Sequence, residues 1–132
     1  MANHPIIPPE YHAVADQLKL SPALISNNHV FLTGVTGAGP DSQMPDDPEI
    51  QFRNAFEKIG QVLRHANLMF ADVVEMTSYH VGIRKHFDLF AAIRSEYVQK
   101  PYPAWTAVEV AGLRREGAIV EIRIIASINQ GE

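Results

Sequence analysis

The sequence has no cysteine, one tryptophan, no long apolar run and no excess of positive charge, and each lack removes a class of function. Without cysteine there is no disulfide framework, no thiol nucleophile and no cysteine-based metal site. No apolar stretch approaches the roughly 18 residues that would suggest a membrane span. The N-terminus, MANHPIIPPEYHAVADQ, lacks a basic segment followed by an apolar block. It therefore does not read as a secretory signal, and a cytoplasmic location is expected. With 15 acidic against 11 basic side chains the formal net charge is -4, and adjacent basic residues occur only as the pairs Arg84-Lys85 and Arg114-Arg115. Phosphate binding needs a clustered cationic face, so neither nucleic acid nor an anionic membrane surface is an expected partner.

What is present is the composition of an ordinary globular chain: 46% hydrophobic and 20% charged over 132 residues. That length predicts one domain over 1–132 with one continuous core. Residues 1–20 hold prolines and little periodicity and read as an irregular N-terminal arm that ends near Ser21-Pro22. ALISNNHVFLTG gives two apolar runs around Asn27-Asn28, a predicted hairpin. GVTGAGPDSQMPDDP, Gly34 to Pro48, reads as a loop, and a mobile one. It has no Gly-Lys-Ser/Thr ending, so it is not a phosphate loop. Asp47 and Pro48 can cap and open a helix.

From Ile50, the apolar positions Phe52, Ala55, Phe56, Ile59, Val62 and Leu63 follow helical spacing. VVEMTSYHV, Val73 to Val81, predicts a strand, and about Lys85 to Gln99 a second helix with Arg94 inside its apolar stripe. PYPAWTAVEV and AIVEIRIIASI supply two more strands. The last of them puts Val120, Ile122, Ile124 and Ala126 on one face and Glu121, Arg123 and Ile125 on the other. The predicted order is β-β-α-β-α-β-β, an α+β fold with a mixed sheet and two helices on one face. The opposite face, expected to carry Trp105, Ala107, Ile125 or their alternates, is too apolar for water, which predicts burial in a closed homo-oligomer.

Six histidines show no metal-ligand spacing, so no metal is expected. His80, in an otherwise apolar strand, reads either as a hydrogen-bonded structural group or as an acid-base group. Glu121 between Val120 and Ile122 is either a proton-transfer group or half of a cross-strand pair with Arg123 or Arg94. Arg94 either snorkels at a helix rim or brings the only cation within reach of an interface pocket. Thr33-Gly34, at a strand end, can present a hydroxyl and bare amides to a ligand. Trp105 reads as core filler, interface filler or pocket wall.

Taken together, NAFEKIGQVLRHANLMFADVVEMTSYHV, FDLFAAIRSEYVQ and PAWTAVEVAGLRREGAIVEIRIIA, in this order and spacing, resemble the Rid family, the RidA/YjgF-type reactive intermediate deaminases. The resemblance spans about residues 21–128. It implies a chorismate-mutase-like fold, a homotrimer, and small-molecule clefts between subunits. It also implies cofactor-free hydrolysis of enamine and imine intermediates, such as 2-aminoacrylate, to a keto acid and ammonia. By the same resemblance Glu121 matches the glutamate that positions water, and Thr33-Gly34 a substrate-holding serine-glycine pair.

Trp105 stands where deaminating members carry a carboxylate-binding arginine, Ala23 where they carry a tyrosine, and Arg94 where they carry an asparagine. An indole has a single N-H donor and cannot clamp a carboxylate bidentately. The expectation is therefore a branch of altered specificity, weak or inactive on 2-aminoacrylate, with Glu121 as the catalytic candidate. Trp105, Thr33, Gly34, Arg94 and His80 are the substrate-binding candidates. The alternative is a non-catalytic module that binds a small molecule or a protein. An endoribonuclease, a label some relatives carry, is disfavoured by the acidic balance.

Overall fold

The computed structural model describes residues 2–128. Its strands are β1 (His4–Ile6), β2 (Ala23–Ser26), β3 (His29–Leu32), β4 (Val35–Thr36), β5 (Val73–His80), β6 (Ala104–Glu109) and β7 (Val120–Ser127). Its α-helices are α1 (His12–Leu18), α2 (Pro48–His65) and α3 (Ile83–Arg94). All strands join one mixed sheet in the order β1-β2-β3-β7-β5-β6, with β4 also paired to β7. The β5-β6 pairing is parallel and the rest antiparallel.

Local chemistry accounts for the elements. Asn27, in the left-handed region at φ 53°, turns β2 into β3. Asp47 accepts the Glu49 N-H at 2.9 Å and Pro48 opens α2, so the predicted cap is observed. The α2 stripe of Phe52, Phe56, Ile59 and Leu63 is fully buried against Met76, Ile122 and Ile124 of the sheet and Phe90 and Ile93 of α3. The two predicted helices do cover one sheet face.

Three expectations need correction. The N-terminal arm is not irregular: β1 pairs with β2, and α1 follows it, ending at Lys19 in the left-handed region. Pro5 does not prevent the pairing because β1 is an edge strand with one free side. The Gly34–Pro48 segment is not a mobile loop throughout, since Val35 and Thr36 pair with Ile122 and Glu121. Beyond them Gly37 lies so close to α2 that a Cβ would meet the Gln51 backbone at 2.3 Å, and Asn54 Nδ2 donates to the Gly37 carbonyl at 3.0 Å. The second predicted helix stops at Arg94, five residues before Gln99, in a turn closed by Tyr97 N-H to Arg94 O at 2.9 Å.

One buried polar side chain ties the connections together. Gln51, 1% exposed, donates through Nε2 to Pro45 O at 2.7 Å and Gly117 O at 2.9 Å, and its Oε1 accepts the Ile119 N-H at 3.0 Å. It thereby fixes the approach to α2 and the β6-β7 connection, which carries Arg114 and Arg115.

Candidate functional site

Strands β3 and β4 run along β7 almost as one strand. Phe31 lies opposite Ile125 and Val35 opposite Ile122, so four steps on one side answer three on the other. The extra residue is a bulge centred on Thr33-Gly34, the kind of irregularity that re-aims side chains. Its effect on Glu121 is direct. A Cβ on Gly34 would sit 2.3 Å from Glu121 Oε2, so the carboxylate lies in the space glycine leaves open. Any larger residue at 34 would have to push that carboxylate aside.

Glu121, Thr33 and Gly34 are therefore brought together, and they line a cavity of about 220 Å³ roofed by α1. Glu121 is half-buried and makes no ion pair among the described residues, so the pairing with Arg123 or Arg94 is not formed. The Thr33 hydroxyl is already engaged within the chain. Its Oγ1 donates to Ser21 O at 2.7 Å and its N-H bonds Pro22 O at 2.9 Å. Only hydroxyl lone pairs remain, so Thr33 can accept from a ligand N-H rather than donate to a ligand oxygen.

The sequence reading missed much of this cavity. Tyr11, Val14 and Leu18 come from the segment read as an irregular arm, and Lys58, Arg114 and Arg115 add positive charge. Arg94 is thus not the only cation near a candidate site. Burial, and secondarily the charge of Arg115, push the Lys58 ammonium down to about 8. The signal available in the sequence was Lys58 one residue off the apolar stripe of α2, together with the Arg114-Arg115 pair.

Trp105, Arg94 and His80 assemble elsewhere. In register, Trp105 lies beside Met76, whereas Glu121 lies beside Tyr79. Successive residues of a strand point to opposite faces, so Trp105 is on the helix-covered face and Glu121 on the other. Of the two registers left open by the sequence, the β6 alternates such as Val108, not Trp105 and Ala107, therefore share the open face with Ile125. Leu24, Phe31, Tyr79, Val108 and Ile125 share the open face by register, with Phe31 40% exposed.

On the covered face the Phe87 ring stacks on Trp105 with centroids 5.5 Å apart and 7° between planes, and the Arg94 guanidinium sits 3.9 Å from the indole centroid. Arg94 is 9% exposed rather than snorkelling at a rim. Its Nε contacts Met76 Sδ at 3.3 Å, it has no ion pair among the described residues, and burial lowers its affinity for the proton.

Behind the indole lies a polar chain. Trp105 Nε1 donates to Ser78 Oγ at 2.9 Å, and Ser78 Oγ lies 2.8 Å from His80 Nε2. A hydroxyl can accept from the indole while donating to the imidazole, so one serine can serve both the Trp105 N-H and the His80 Nε2. His80 Nδ1 is buried and has no partner among the described residues. Burial first, with a smaller like-charge contribution from His86, holds the imidazole below its ordinary proton affinity, while Glu109 opposes them. No group of three or more His, Asp or Glu side chains among the described residues could hold a metal ion. No helix among them is long and apolar enough to cross a membrane.

A bulged mixed sheet, two helices on one face, and a glutamate set against a glycine at the bulge define a small α+β protein with a compact cavity. The chain belongs to the family described as Endoribonuclease L-PSP, which matches residues 11–128, and with it to the Rid/YjgF proteins. It is 31% identical to the RutC family protein YjgH of Escherichia coli over 93% of both chains. The solved structure of YjgH superposes with a TM-score of 0.87 at 29% identity, covering 98% of this chain and 99% of that one. A 2-iminobutanoate/2-iminopropanoate deaminase of Bos taurus is 30% identical over 80% of this chain and 77% of its own. The Rid protein YyfA of Yersinia pestis, of unknown function, superposes with a TM-score of 0.81 at 26% identity, covering 96% of this chain and all of that one.

Proposed function

We propose that this protein is a cofactor-independent hydrolase of small imine or enamine compounds, with Glu121 as the group that handles the proton. The observation that carries the reading is the Glu121 carboxylate held against Gly34 at the mouth of a cavity, free of any ion pair among the described residues. A carboxylate so placed can take a proton from water as the oxygen adds to the C=N carbon and pass it to nitrogen, then carry the new hydroxyl proton to the same nitrogen as the C-N bond breaks, the C=O forms and ammonia leaves. Thr33 would accept a hydrogen bond from the ligand nitrogen, matching the lone pairs it has left.

The candidates fall on two faces of the sheet, and that division supports a homotrimer in which one subunit supplies Glu121, Thr33 and Gly34 and its neighbour supplies Trp105 and Arg94. The partly apolar open face supports the same assembly. Trp105, with its N-H spent on Ser78, offers a ligand only its ring. The proposed specificity is therefore for compounds other than 2-aminoacrylate, with the nearby guanidinium of Arg94 as the cation on that side.

The engagement of Trp105 by Ser78, Phe87 and Arg94 favours a second reading, a binding module without turnover. The net charge of -4 remains unfavourable to RNA cleavage, whatever the family is called. The test is ammonia release from enzymatically generated 2-aminoacrylate and from bulkier imines, beside the uncatalysed rate. Hydrolysis of a bulkier imine that Glu121→Gln abolishes in a folded protein is the expected result. Absence of turnover on every imine, with a ligand recovered intact, would leave the binding module.

A further inference from the structure

The cavity beneath α1 has a charge imbalance that neither its fold nor the proposed reaction uses. Lys58 of α2 and Arg115 of the β6-β7 connection line it, and both also line the adjoining hollow, so they stand where the two meet. Lys58 is half-buried and has no hydrogen bond or ion pair among the described residues. Arg115 spends Nη2 on Ser42 O at 2.7 Å, which holds the fork in place and leaves its other N-H groups unused. Arg114 reaches the same cavity from an exposed position.

The acids nearby do not answer this charge. Glu121 is in the cavity but forms no ion pair with Lys58 or Arg115. Glu10 and Glu57 line the adjoining hollow but not the cavity, and Glu57 Oε2 accepts the Tyr97 hydroxyl at 2.9 Å. Partial desolvation first, and then the like charge of Arg115, make the Lys58 ammonium costly, a cost that a bound anion would offset. Val14, Leu18, Val35 and Val62 supply apolar walls around the charges.

We infer that Lys58 and Arg115 form an anion-binding subsite within a single chain, which takes the charged end of a small organic anion and seats its compact apolar body on Val14, Leu18 and Val62. At about 220 Å³ the cavity suits a compact ligand. Arg115 is set for the ligand in advance, because Ser42 holds its side chain and Gln51 anchors the connection that carries it. The subsite deepens the proposed function by assigning a charge to its ligand, and it rests on that reading only in sharing the cavity of Glu121.

The probes are 3-methylbutanoate and its neutral counterpart 3-methylbutanamide, titrated into the full chain and followed by amide chemical shifts. Saturable shifts with the acid, at least about tenfold weaker in Lys58→Gln and in Arg115→Gln, are expected, because each removes a charge-assisted hydrogen bond. Lys58→Arg should keep most of the affinity, and Lys85→Gln on the exposed side of α3 should change nothing. The amide should bind wild type no better than it binds Lys58→Gln. Equal affinity for acid and amide, no saturable shift with the acid, or undiminished binding in folded Lys58→Gln and Arg115→Gln would each overturn the subsite. Ammonia release from imines by the same variants separates the two ideas: probe binding without turnover removes only the hydrolase reading.

Discussion

Replacing Lys58 by methionine should make the folded protein more stable at neutral pH, although it removes a surface-helix lysine. The folded ammonium titrates near 8 against 10.5 for an ordinary lysine. Between those values the unfolded chain holds a proton that the folded chain has released, so wild-type stability rises with pH across that window. Below it both states are protonated and the folded state carries the whole penalty. Taken at face value the difference is worth about 3 kcal/mol, and solvent entering the open cavity reduces it to about 1–2 kcal/mol. Methionine keeps the aliphatic stem, and no hydrogen bond or ion pair of Lys58 is lost among the described residues.

The assay is urea unfolding of both proteins at one concentration, followed by emission of the sole tryptophan, Trp105, from pH 7 to about 9.5. Lys58→Met should lead by about 1–2 kcal/mol at pH 7, and the lead should shrink above pH 8. The Tyr11 phenol, raised by burial, acts in the opposite sense but equally in both proteins. A lead that is absent at pH 7, or that stays constant through pH 9.5, would refute the view of Lys58 as an uncompensated, partly desolvated cation.

Two further outcomes test the supports of the site. Gln51→Leu removes three hydrogen bonds of a 1% exposed side chain and strands the backbone groups of Pro45, Gly117 and Ile119. A loss of about 2–4 kcal/mol in urea unfolding is expected, and a loss within experimental error would show that water satisfies these groups. Ser78→Ala leaves the Trp105 N-H and the His80 ring without their shared partner. It should cost about 1–3 kcal/mol and shift the Trp105 emission, and an unchanged spectrum would mean that the serine does not hold the indole.

How much was legible in the sequence follows the range of the forces involved. The α2 stripe, its Asp47-Pro48 start and the Asn27 turn are set by neighbours a few residues apart, and the structure has them where the pattern put them. β1 is held by a partner strand some twenty residues away, so its three residues carry no pattern of their own. β4 is shorter still, and the glycines and prolines around it masked a pairing that only β7 supplies. Alternation in β7 placed Glu121 opposite the core, but the face of Trp105 depends on the register of β6 against β5, which strand periodicity alone does not fix.

The bulge at Thr33-Gly34 shows why the site itself was the hardest part to read. One extra residue in the β3-β4 run turns the strand so that glycine, not a side chain, meets the Glu121 carboxylate. The same irregularity places Thr33 beside the Ser21 carbonyl, which takes its proton and leaves it an acceptor. A sequence motif can list a hydroxyl, a glycine and a glutamate, but which of them donates, which yields space and which stays free of a partner depends on that single residue of slip. The residues that set the charge of the cavity, Lys58 and Arg115, enter it from a helix and a connection outside the strand motif. The ligand preference of this chain is therefore better sought in those two side chains than in the family pattern at Thr33, Gly34 and Glu121.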